Sequence, residues 1–598
     1  MPYAHRSIPP IAKPFAYASA LLGLATTTCA QPQLTRPDYE LSTPFERDTL
    51  ASATYAEAVD FYAVLAKAYP RRVRLEPGFE TDAGIGVDLV VISDYGDGEA
   101  TDERRPTFFV NNGIHAGEPC GVDASMLLAR DLAAGELRDL DLSGAQVVIV
   151  PAYNVGGMLN RGGGTRANQD GPRAYGFRGN ARNLDLNRDF VKQDSRNARG
   201  LTDQLQRLRP DVFVDTHTTN GADYAYPMTV IATQYDKLGP VLGAYLREEM
   251  EPALYTEMAA RGYPTVPYVN ADGPPQESGI DVFLDAPRYS TGYAALLHTL
   301  AFVTEAHMLK PFATRVRATQ AFLETTLAYW LGHREAIGRL RRENAAAMAA
   351  QDSVTLRWAV DTTRADTIDF RGYAAVREPS AVTGAVRLRY DRARPIDVRI
   401  PFRRYARPAA QVVAPAYYYV PAAYEELIPT YLTRELPPLA ADTSFPAMAY
   451  RIDGYETVAQ PYEGHYLHYE VRATPVPRTV AARAGDYLIA VTPDDLQLLA
   501  ALFEPEAVDS YFAWNAFDSW LQRKEHFSAY VFEETAAGML AEDEELRRAF
   551  EAEREAEEGF RQNSRAQLQW LYERSGMAEE GVGVLPVMRV EAGATSPR

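Results

Sequence analysis

Short apolar runs alternate with helical patterns between residues 80 and 310, and this alternation limits the fold more than any other feature of the sequence. The helical stretches DASMLLARDLAAGEL and TDQLQRLR space their apolar residues three and four apart, as amphipathic helices do. The apolar runs are four to six residues long, rich in Val and Phe, and hydrophobic on both faces: VDLVVI, PTFFV, AQVVIV, DVFVD and LAFVTE. Such runs are typical of strands in a buried parallel sheet. We therefore predict an α/β domain with a doubly wound, mixed and largely parallel sheet.

The chain is too long for one domain, because 598 residues exceed what a single hydrophobic core usually organises. Its character changes near residue 335, after which VRLRYDRARPIDVRIPFRRYA alternates like exposed strands. Near the C-terminus, EDEELRRAFEAEREAEEGFRQNSRAQLQWLYERSG has the pattern of one charged amphipathic helix. We predict the α/β domain over 31–335, a β-rich region over 336–440, and an α+β region over 441–598 that ends in this helix.

The first thirty residues have the pattern of a signal peptide. Basic residues precede the apolar stretch PFAYASALLGLATTTCAQ, and Thr28 and Ala30 suit cleavage before Gln31. We therefore predict export to the periplasm or the medium of a bacterium. A lipid anchor on Cys29 is an alternative. The sequence argues against it, because Thr26 occupies the position where a lipobox has a Leu-like residue. The apolar run is shorter than the ~20 residues that a membrane span requires.

The overall charge argues against one class of partner. A formal net charge of −19 opposes binding to nucleic acid, whose affinity comes mainly from neutralised phosphates. It favours solubility and indicates little about a small substrate. Removal of the signal peptide leaves Cys120 as the single cysteine, so no intramolecular disulfide is expected, and Cys120 is interpreted as a small buried hydrophobe.

His115 and Glu118 follow the predicted strand PTFFV directly, in the stretch NNGIHAGEPC. Among nine histidines, one HxxE is expected by chance, and Pro119 with an acidic neighbour also suits the first turn of a helix. His217 follows the run DVFVD, and Glu305 ends the run LAFVTE. In open α/β sheets, functional sites gather at the carboxyl ends of strands. Three strand ends thus deliver two His and two Glu to one edge of the sheet.

A catalytic zinc ion takes three protein ligands and leaves a fourth position for water. His115, Glu118 and His217 fit that set, and we predict one bound Zn²⁺. Zinc lowers the pKa of a bound water towards 7, and a nearby carboxylate must then accept its proton. Glu305 is the candidate for this general base.

The pattern resembles the zinc carboxypeptidase family of the funnelin, carboxypeptidase A-like kind, over about residues 50–320. The family's order is HxxE, an Arg, Asn-Arg, a distant His and a final Glu, and the most specific match here is DLNRDF, residues 185–190. The resemblance implies that His115, Glu118 and His217 bind zinc. It also implies that Arg178 contacts the oxyanion, and that Asn187 and Arg188 bind the substrate's terminal carboxylate. Asp185 would orient His115. Tyr289 would be the family's mobile tyrosine, with Tyr293 as the alternative.

The resemblance implies a metallocarboxypeptidase that hydrolyses the C-terminal bond of peptides, and the signal-peptide pattern predicts that it is exported. Two alternatives stay open: a zinc-dependent deacylase of N-acyl amino acids or amidase of peptidoglycan stems, and a catalytically inactive peptide-binding relative. One departure concerns Gly117, where familiar members carry an Arg immediately before the metal-binding Glu. His298 and His307 are interpreted as packing residues, and His465 with His468 as an HxxH of no predicted function.

Overall fold

The strands form where the sequence places β-branched and aromatic residues in short runs.

The computed structural model describes residues 41–95, 105–137 and 139–593, and Leu41 onward belongs to one compact unit. The predicted signal peptide and Cys29 lie outside the described residues. None of the described helices combines the length and hydrophobicity needed to span a bilayer.

Each of the five apolar runs identified in the sequence forms a strand. In chain order, the strands are β1 (Val73–Glu80), β2 (Gly86–Ile92), β3 (Thr107–Asn112), β4 (Gln146–Val150), β5 (Val212–Thr219), β6 (Met228–Ala232), β7 (Thr265–Pro267), β8 (Ile280–Asp281), β9 (Leu300–His307), β10 (Val354–Val360), β11 (Asp366–Pro379), β12 (Val386–Arg403), β13 (Ala406–Val412), β14 (Tyr417–Val420), β15 (Thr443–Thr457), β16 (His468–Ala482), β17 (Tyr487–Ala490) and β18 (Val584–Val590).

Several helices begin at side-chain caps, such as the capping boxes that Thr43 and Thr54 form with the glutamates three residues later. The helices are α1 (Pro44–Arg47), α2 (Tyr55–Ala68), α3 (Cys120–Ala134), α4 (Val155–Leu159), α5 (Arg196–Leu208), α6 (Tyr235–Leu238), α7 (Pro240–Tyr245), α8 (Glu251–Ala260), α9 (Pro275–Ser278), α10 (Ser290–Ala295), α11 (Phe312–Ala349), α12 (Thr430–Glu435), α13 (Leu496–Phe503), α14 (Ala529–Glu542), α15 (Glu544–Ala556), α16 (Glu558–Gln562) and α17 (Ser564–Tyr572).

A mixed eight-stranded sheet forms the centre of the molecule, with the strand order β1-β2-β4-β3-β5-β9-β6-β7. The neighbours β4, β3, β5 and β9 run parallel. The pairs β1–β2, β2–β4 and β9–β6 are antiparallel, and the edge strand β7 runs parallel to β6. This arrangement confirms the predicted α/β class with a mixed, largely parallel sheet. The carboxyl ends of β3, β5 and β9 therefore meet at one edge.

The two faces of this sheet pack against different parts of the chain. Side chains alternate along each strand, so Phe108 of β3 points into a core built with α3 and α11, while Phe109 points to the opposite face. That second core includes α5 and α10, and also buried residues of the C-terminal region such as Tyr418 and Trp514. The region after residue 335 is thus packed against the sheet, and the long helix α11 runs through the predicted boundary at 335.

The C-terminal region is built on a second, five-stranded sheet with the order β16-β15-β18-β14-β17. There are also two smaller sheets. In one, β10 pairs with β13; in the other, β12 pairs with β11 in a long hairpin and with β8 on its other side. The strand character predicted for residues 386–406 is observed in β12, which ends at Arg403.

The prediction of one continuous charged helix over residues 542–576 is wrong. The segment forms three helices, α15, α16 and α17, because Glu557 and Asn563 adopt extended backbone conformations between them. The Asn563 side chain also accepts a hydrogen bond from the Ala566 amide and so caps α17. The breaks allow Phe550, Phe560 and Tyr572 to pack together with α14, which buries apolar surface that a single straight helix would leave in water.

Candidate metal centre

Two loop residues and one strand residue converge at the carboxyl edge of the central sheet. His115 and Glu118 lie in the turn between β3 and α3, and His217 lies near the end of the neighbouring strand β5. One possible ligand atom from each of these three residues lies within 4.8 Å of the other two. Among the described residues, these three side chains form the group that could hold a metal ion. All three are at least 96 % buried. The set of two imidazoles and one carboxylate is the one that catalytic zinc sites of the His₂Glu type use.

Both candidate histidine ligands are oriented in the same way, with one carboxylate next to each of their two ring nitrogens. Nδ1 of His115 lies 3.2 Å from one Glu118 oxygen, and Nδ1 of His217 lies 3.1 Å from the other. The opposite nitrogens, Nε2, lie 3.0 Å from Asp185 and 3.0 Å from Asp215 respectively. A carboxylate behind each ring favours the tautomer that carries its proton on Nε2, which leaves Nδ1 free to bind a metal.

The charges around these histidines favour a cation between them. Burial by itself lowers the pKa of His217, but the carboxylates of Asp215 and Glu118 raise it well above its ordinary value. Burial opposes ionisation of Asp185, yet its hydrogen bond to His115 and the charge of Arg178 hold the pKa of this carboxyl well below the usual range. The site therefore concentrates negative charge, which a divalent ion bound to the two imidazoles would neutralise.

Asp185 was predicted to hold His115, whereas Asp215 was not predicted. The signal for Asp215 is present in the sequence, because residues two apart on a strand project to the same face. Asp215 is fully buried, and its second oxygen accepts a hydrogen bond of 3.1 Å from the Asn111 amide. DVFVDTH therefore encodes both a candidate ligand, His217, and the residue that orients its ring.

Glu305 lies beside His217, because the register of the parallel strands β5 and β9 pairs these two residues directly. Its side chain lines the same cavity as the three candidate ligands. Burial and the charge of Glu118 raise the pKa of Glu305 to about 7, against the opposing effects of His217 and Arg166. A carboxyl with a pKa near neutrality is well matched to accepting and returning a proton.

The cavity at this edge has a volume of about 350 Å³. Every predicted site residue lines it except Asp185, which lies behind His115. The lining residues are His115, Glu118, Arg166, Arg178, Asn187, Arg188, His217, Thr218, Thr219, Asn220, Ile231, Tyr268, Phe283, Tyr289, Ser290, Thr291, Val303 and Glu305.

Arg178 is held at the rim of the candidate metal site. Its Nε and Nη2 donate to Asp185 at 3.0 and 2.8 Å, and its Nη1 lies 3.7 Å from Glu118. Nη1 also lies 3.3 Å from Nδ1 of His115, and the side chain, which is 45 % exposed, lines the cavity.

Asn187 and Arg188 form a 3₁₀ turn, Leu186–Arg188, that Asp185 caps by accepting from the Asn187 amide at 2.9 Å. Asn187 accepts a hydrogen bond of 3.2 Å from the Ser290 amide, and Arg188 lies 4.6 Å above the ring of Tyr289. Tyr293, the alternative to Tyr289, is fully buried in the core and bonded to Gln206, so of these two tyrosines Tyr289 is the one that reaches the cavity.

Arg166 was not predicted, and it explains the departure at Gly117. Its Nη1 donates to Glu118 at 2.6 Å and its Nη2 donates to the Thr218 carbonyl at 2.8 Å. A Cβ at residue 117 would lie 2.8 Å from the Arg166 side chain. Gly117 therefore leaves the space through which Arg166, from the Gly- and Arg-rich loop 160–180, reaches the Glu118 carboxylate.

The other four histidines considered in the sequence analysis lie outside this site. His298 and His307 are buried, and His307 bonds to the Ala222 carbonyl and to the Leu309 amide, consistent with packing roles. His465 and His468 contact different carboxylates, Asp194 and Asp518. Cys120 is fully buried, as expected.

Comparisons with known proteins show similarity to zinc carboxypeptidases. Residues 58–214 match the model of the family described as zinc carboxypeptidase, a range that contains His115, Glu118, Arg178, Asn187 and Arg188. A curated relative, carboxypeptidase 2 of Trichophyton rubrum, is 23 % identical over 217 residues, which cover 36 % of this chain and 37 % of the relative. The match thus spans little more than a third of that relative's length.

Two solved structures with similarity to the chain are also carboxypeptidases. Carboxypeptidase A of Helicoverpa armigera is 16 % identical with a TM-score of 0.38, covering 50 % of this chain and 76 % of that one. A metallo-carboxypeptidase of Pseudomonas aeruginosa is 16 % identical with a TM-score of 0.34, covering 46 % and 69 %. Residues 58–214 are thus similar to the zinc carboxypeptidase family.

Proposed function

We propose that this protein is a zinc-dependent carboxypeptidase that hydrolyses the C-terminal bond of peptides. The observation that carries the proposal is the convergence of His115, Glu118 and His217 beside Glu305 in one cavity that also holds Asn187 and Arg188. A metal-binding group and a carboxylate-binding group in the same cavity favour a substrate with a free terminal carboxylate.

His115, Glu118 and His217 would hold the zinc ion, and Asp185 and Asp215 would keep both imidazoles in the binding tautomer. Zinc bound there would polarise the scissile carbonyl and make water a stronger nucleophile. Glu305 would take the proton from the attacking water and pass it to the leaving amine. Only ionised Glu305 can accept that proton, so kcat/KM should rise with pH through the pKa of this residue.

The other residues act on charge and position. Arg178 directs N–H groups into the cavity next to Glu118, where they would stabilise the oxyanion that develops on the carbonyl. Arg188 and Asn187 would hold the terminal carboxylate, and Tyr289 would pack over it. The cavity also presents the apolar groups of Ile231, Phe283 and Val303, which favours substrates with an apolar or aromatic C-terminal residue.

The test is hydrolysis of matched peptides by the purified, zinc-loaded protein. We expect release of the last amino acid from peptides with a free C-terminus, little from their C-terminal amides, and at least a 100-fold loss of kcat in Glu305→Gln with the zinc content unchanged. A panel of N-acyl amino acids tests the deacylase alternative: faster turnover of that panel than of dipeptides would replace the proposal. Binding without any turnover would favour the inactive relative.

We also propose export, on the pattern of residues 1–30. N-terminal sequencing of the protein recovered from the periplasm or medium should begin at Gln31. A mature protein that retains residues 1–30 would contradict this proposal, and one that begins at a lipid-modified Cys29 would support the alternative anchor.

A further inference from the structure

A hairpin turn of the C-terminal region lies against the residues proposed to bind the substrate carboxylate. Residues 458–467 connect β15 to β16 and end in a tight turn, in which Tyr462 and His465 exchange two backbone hydrogen bonds of 2.8 and 3.1 Å. This segment is far outside residues 58–214, which match the family model. We call residues 458–467 the β15–β16 loop.

The turn has an unusual residue at its first central position. Glu463 has φ of 50° and Gly464 has φ of 85°, and the two-residue turns with this geometry normally take Asn, Asp or Gly at the first place. A left-handed conformation is unfavourable for Glu, so surrounding contacts must hold it. One such contact is clear: the Glu463 carboxylate accepts a hydrogen bond of 2.8 Å from the Asp185 amide.

The neighbouring side chains of the turn reach the same segment. The Tyr462 hydroxyl accepts a hydrogen bond of 2.9 Å from Nε of Arg188. His465 contacts Asp194 through Nε2 at 2.8 Å. Three of the four turn residues therefore contact residues 185–194, the segment that carries Asp185, Asn187 and Arg188.

Tyr462 is itself held rigidly. Its ring lies nearly parallel to that of Trp514, with an interplanar angle of 20° and centroids 6.1 Å apart. The guanidinium of Arg288 lies 5.5 Å from the Tyr462 ring and is paired with the fully buried Asp509 at 2.7 Å. A phenol fixed in this way presents its oxygen to Arg188 in one position.

The hydrogen bond to Tyr462 determines which edge of Arg188 remains for a ligand. Nε donates to Tyr462 and Nη1 donates to the Asn187 carbonyl at 2.7 Å. A guanidinium has five N–H donors, so the two on Nη2 and one on Nη1 remain. These three define the end of the fork, the geometry that suits a carboxylate approaching through the cavity.

We propose that Tyr462 is a positioning residue for Arg188, so that the β15–β16 loop completes the pocket for the substrate's terminal carboxylate. This inference rests on the proposed carboxypeptidase function. It assigns part of the active site to the C-terminal region, whose contribution neither the family match nor the sequence patterns indicated.

The test compares Tyr462→Phe, which keeps the ring and removes the acceptor, with Tyr466→Phe. Tyr466 lies on the same loop and is 53 % exposed, so it controls for the loss of a hydroxyl there. We expect Tyr462→Phe to raise KM for peptides with a free C-terminus roughly five- to tenfold, with kcat changed less than about twofold. Tyr466→Phe should behave like the wild type.

Two further measurements separate positioning from a structural role. The Ki of a dipeptide acid should rise in Tyr462→Phe, whereas the Ki of its C-terminal amide should not. In a double-mutant cycle, Tyr462→Phe should have no further effect in an Arg188→Gln background, because it acts through Arg188.

The outcomes distinguish this inference from the proposed function. Equal changes in both Ki values, additive effects in the cycle, or no difference from Tyr466→Phe would overturn the role of Tyr462 while leaving the carboxypeptidase proposal intact. If the wild-type protein hydrolyses no peptide with a free C-terminus, the proposed function fails and the inference fails with it.

Discussion

Asp215 illustrates how a single buried side chain can orient the ring of a candidate metal ligand, His217. It is fully buried, lies two residues before His217 on β5, and bonds the ring nitrogen that faces away from Glu118. Asp185 does the same for His115 from the loop that precedes the turn Leu186–Arg188. A carboxylate holds Nε2 of each imidazole, so Nδ1 of both rings points to the space beside Glu118. Folding therefore orders the two histidines before a metal ion binds.

We expect Asp215→Asn to weaken zinc binding by about 10- to 100-fold, because the amide neither carries the charge nor fixes the tautomer as strongly. Competition with a chelator of known affinity measures the effect. Asp88→Asn is the matched control, since Asp88 is exposed on strand β2 of the same sheet. Equal zinc affinities for the two variants would show that Asp215 does not tune His217.

Helix α3 approaches strand β5 unusually closely, and this contact joins the two halves of the candidate metal centre. A Cβ on Gly121 would lie 1.8 Å from the Thr216 hydroxyl oxygen, which itself contacts the Asn112 side chain at 2.9 Å. Gly121 lies three residues after Glu118, and Thr216 directly precedes His217. The packing of the helix on the strand therefore sets the separation of the ligands.

We expect Gly121→Ala to lower the free energy of unfolding by about 3 kcal/mol, since an added methyl must force the helix away from the strand. Zinc affinity should fall with it. Gly332→Ala is the control, because Gly332 is an exposed glycine of α11 with nothing within 4 Å of its Cβ position. That change should stabilise the protein by up to about 1 kcal/mol through helix propensity. Thermal and denaturant unfolding of both variants would check the opposite signs.

At the scale of the whole molecule, the C-terminal region and the α/β region are joined by buried polar contacts as well as by a shared core. Arg288 pairs with Asp509 through three bonds of 2.7 to 2.8 Å, and their side chains are 13 % and 0 % exposed. Arg288 precedes Tyr289 in the cavity wall and contacts Tyr462. The same pair thus connects both regions to the proposed carboxylate pocket.

We expect Asp509→Ala to lower the free energy of unfolding by about 3–5 kcal/mol, because it leaves the Arg288 guanidinium buried without a partner. Glu277→Ala removes a partner from the exposed pair with Arg377 and should change stability little. The melting temperatures of the two variants measure the contrast. A similar small change in both would mean that the buried pair does not stabilise the contact between the regions.

The sequence determined the local parts of this protein. Buried strands need continuous runs of Val, Ile and Phe, so β2, β3, β4, β5 and β9 could be predicted from composition and length alone. Because parallel strands end at the same edge, His115, Glu118, His217 and Glu305 could be assigned to one site before their distances were known. Asp215 is encoded in the same way, because it alternates with His217 on β5.

Tertiary structure alone decided the contacts between segments distant in sequence. Arg166 binds Glu118 from 48 residues away and Tyr462 binds Arg188 from 274 residues away. The spacing of apolar residues, every two in a strand or every 3.6 in a helix, shows which face of that element is buried. It carries no information about which loop packs against that face. The breaks in the C-terminal helix have the same origin, because burial of Phe550, Phe560 and Tyr572 in a common core outweighs the helix propensity of the local sequence.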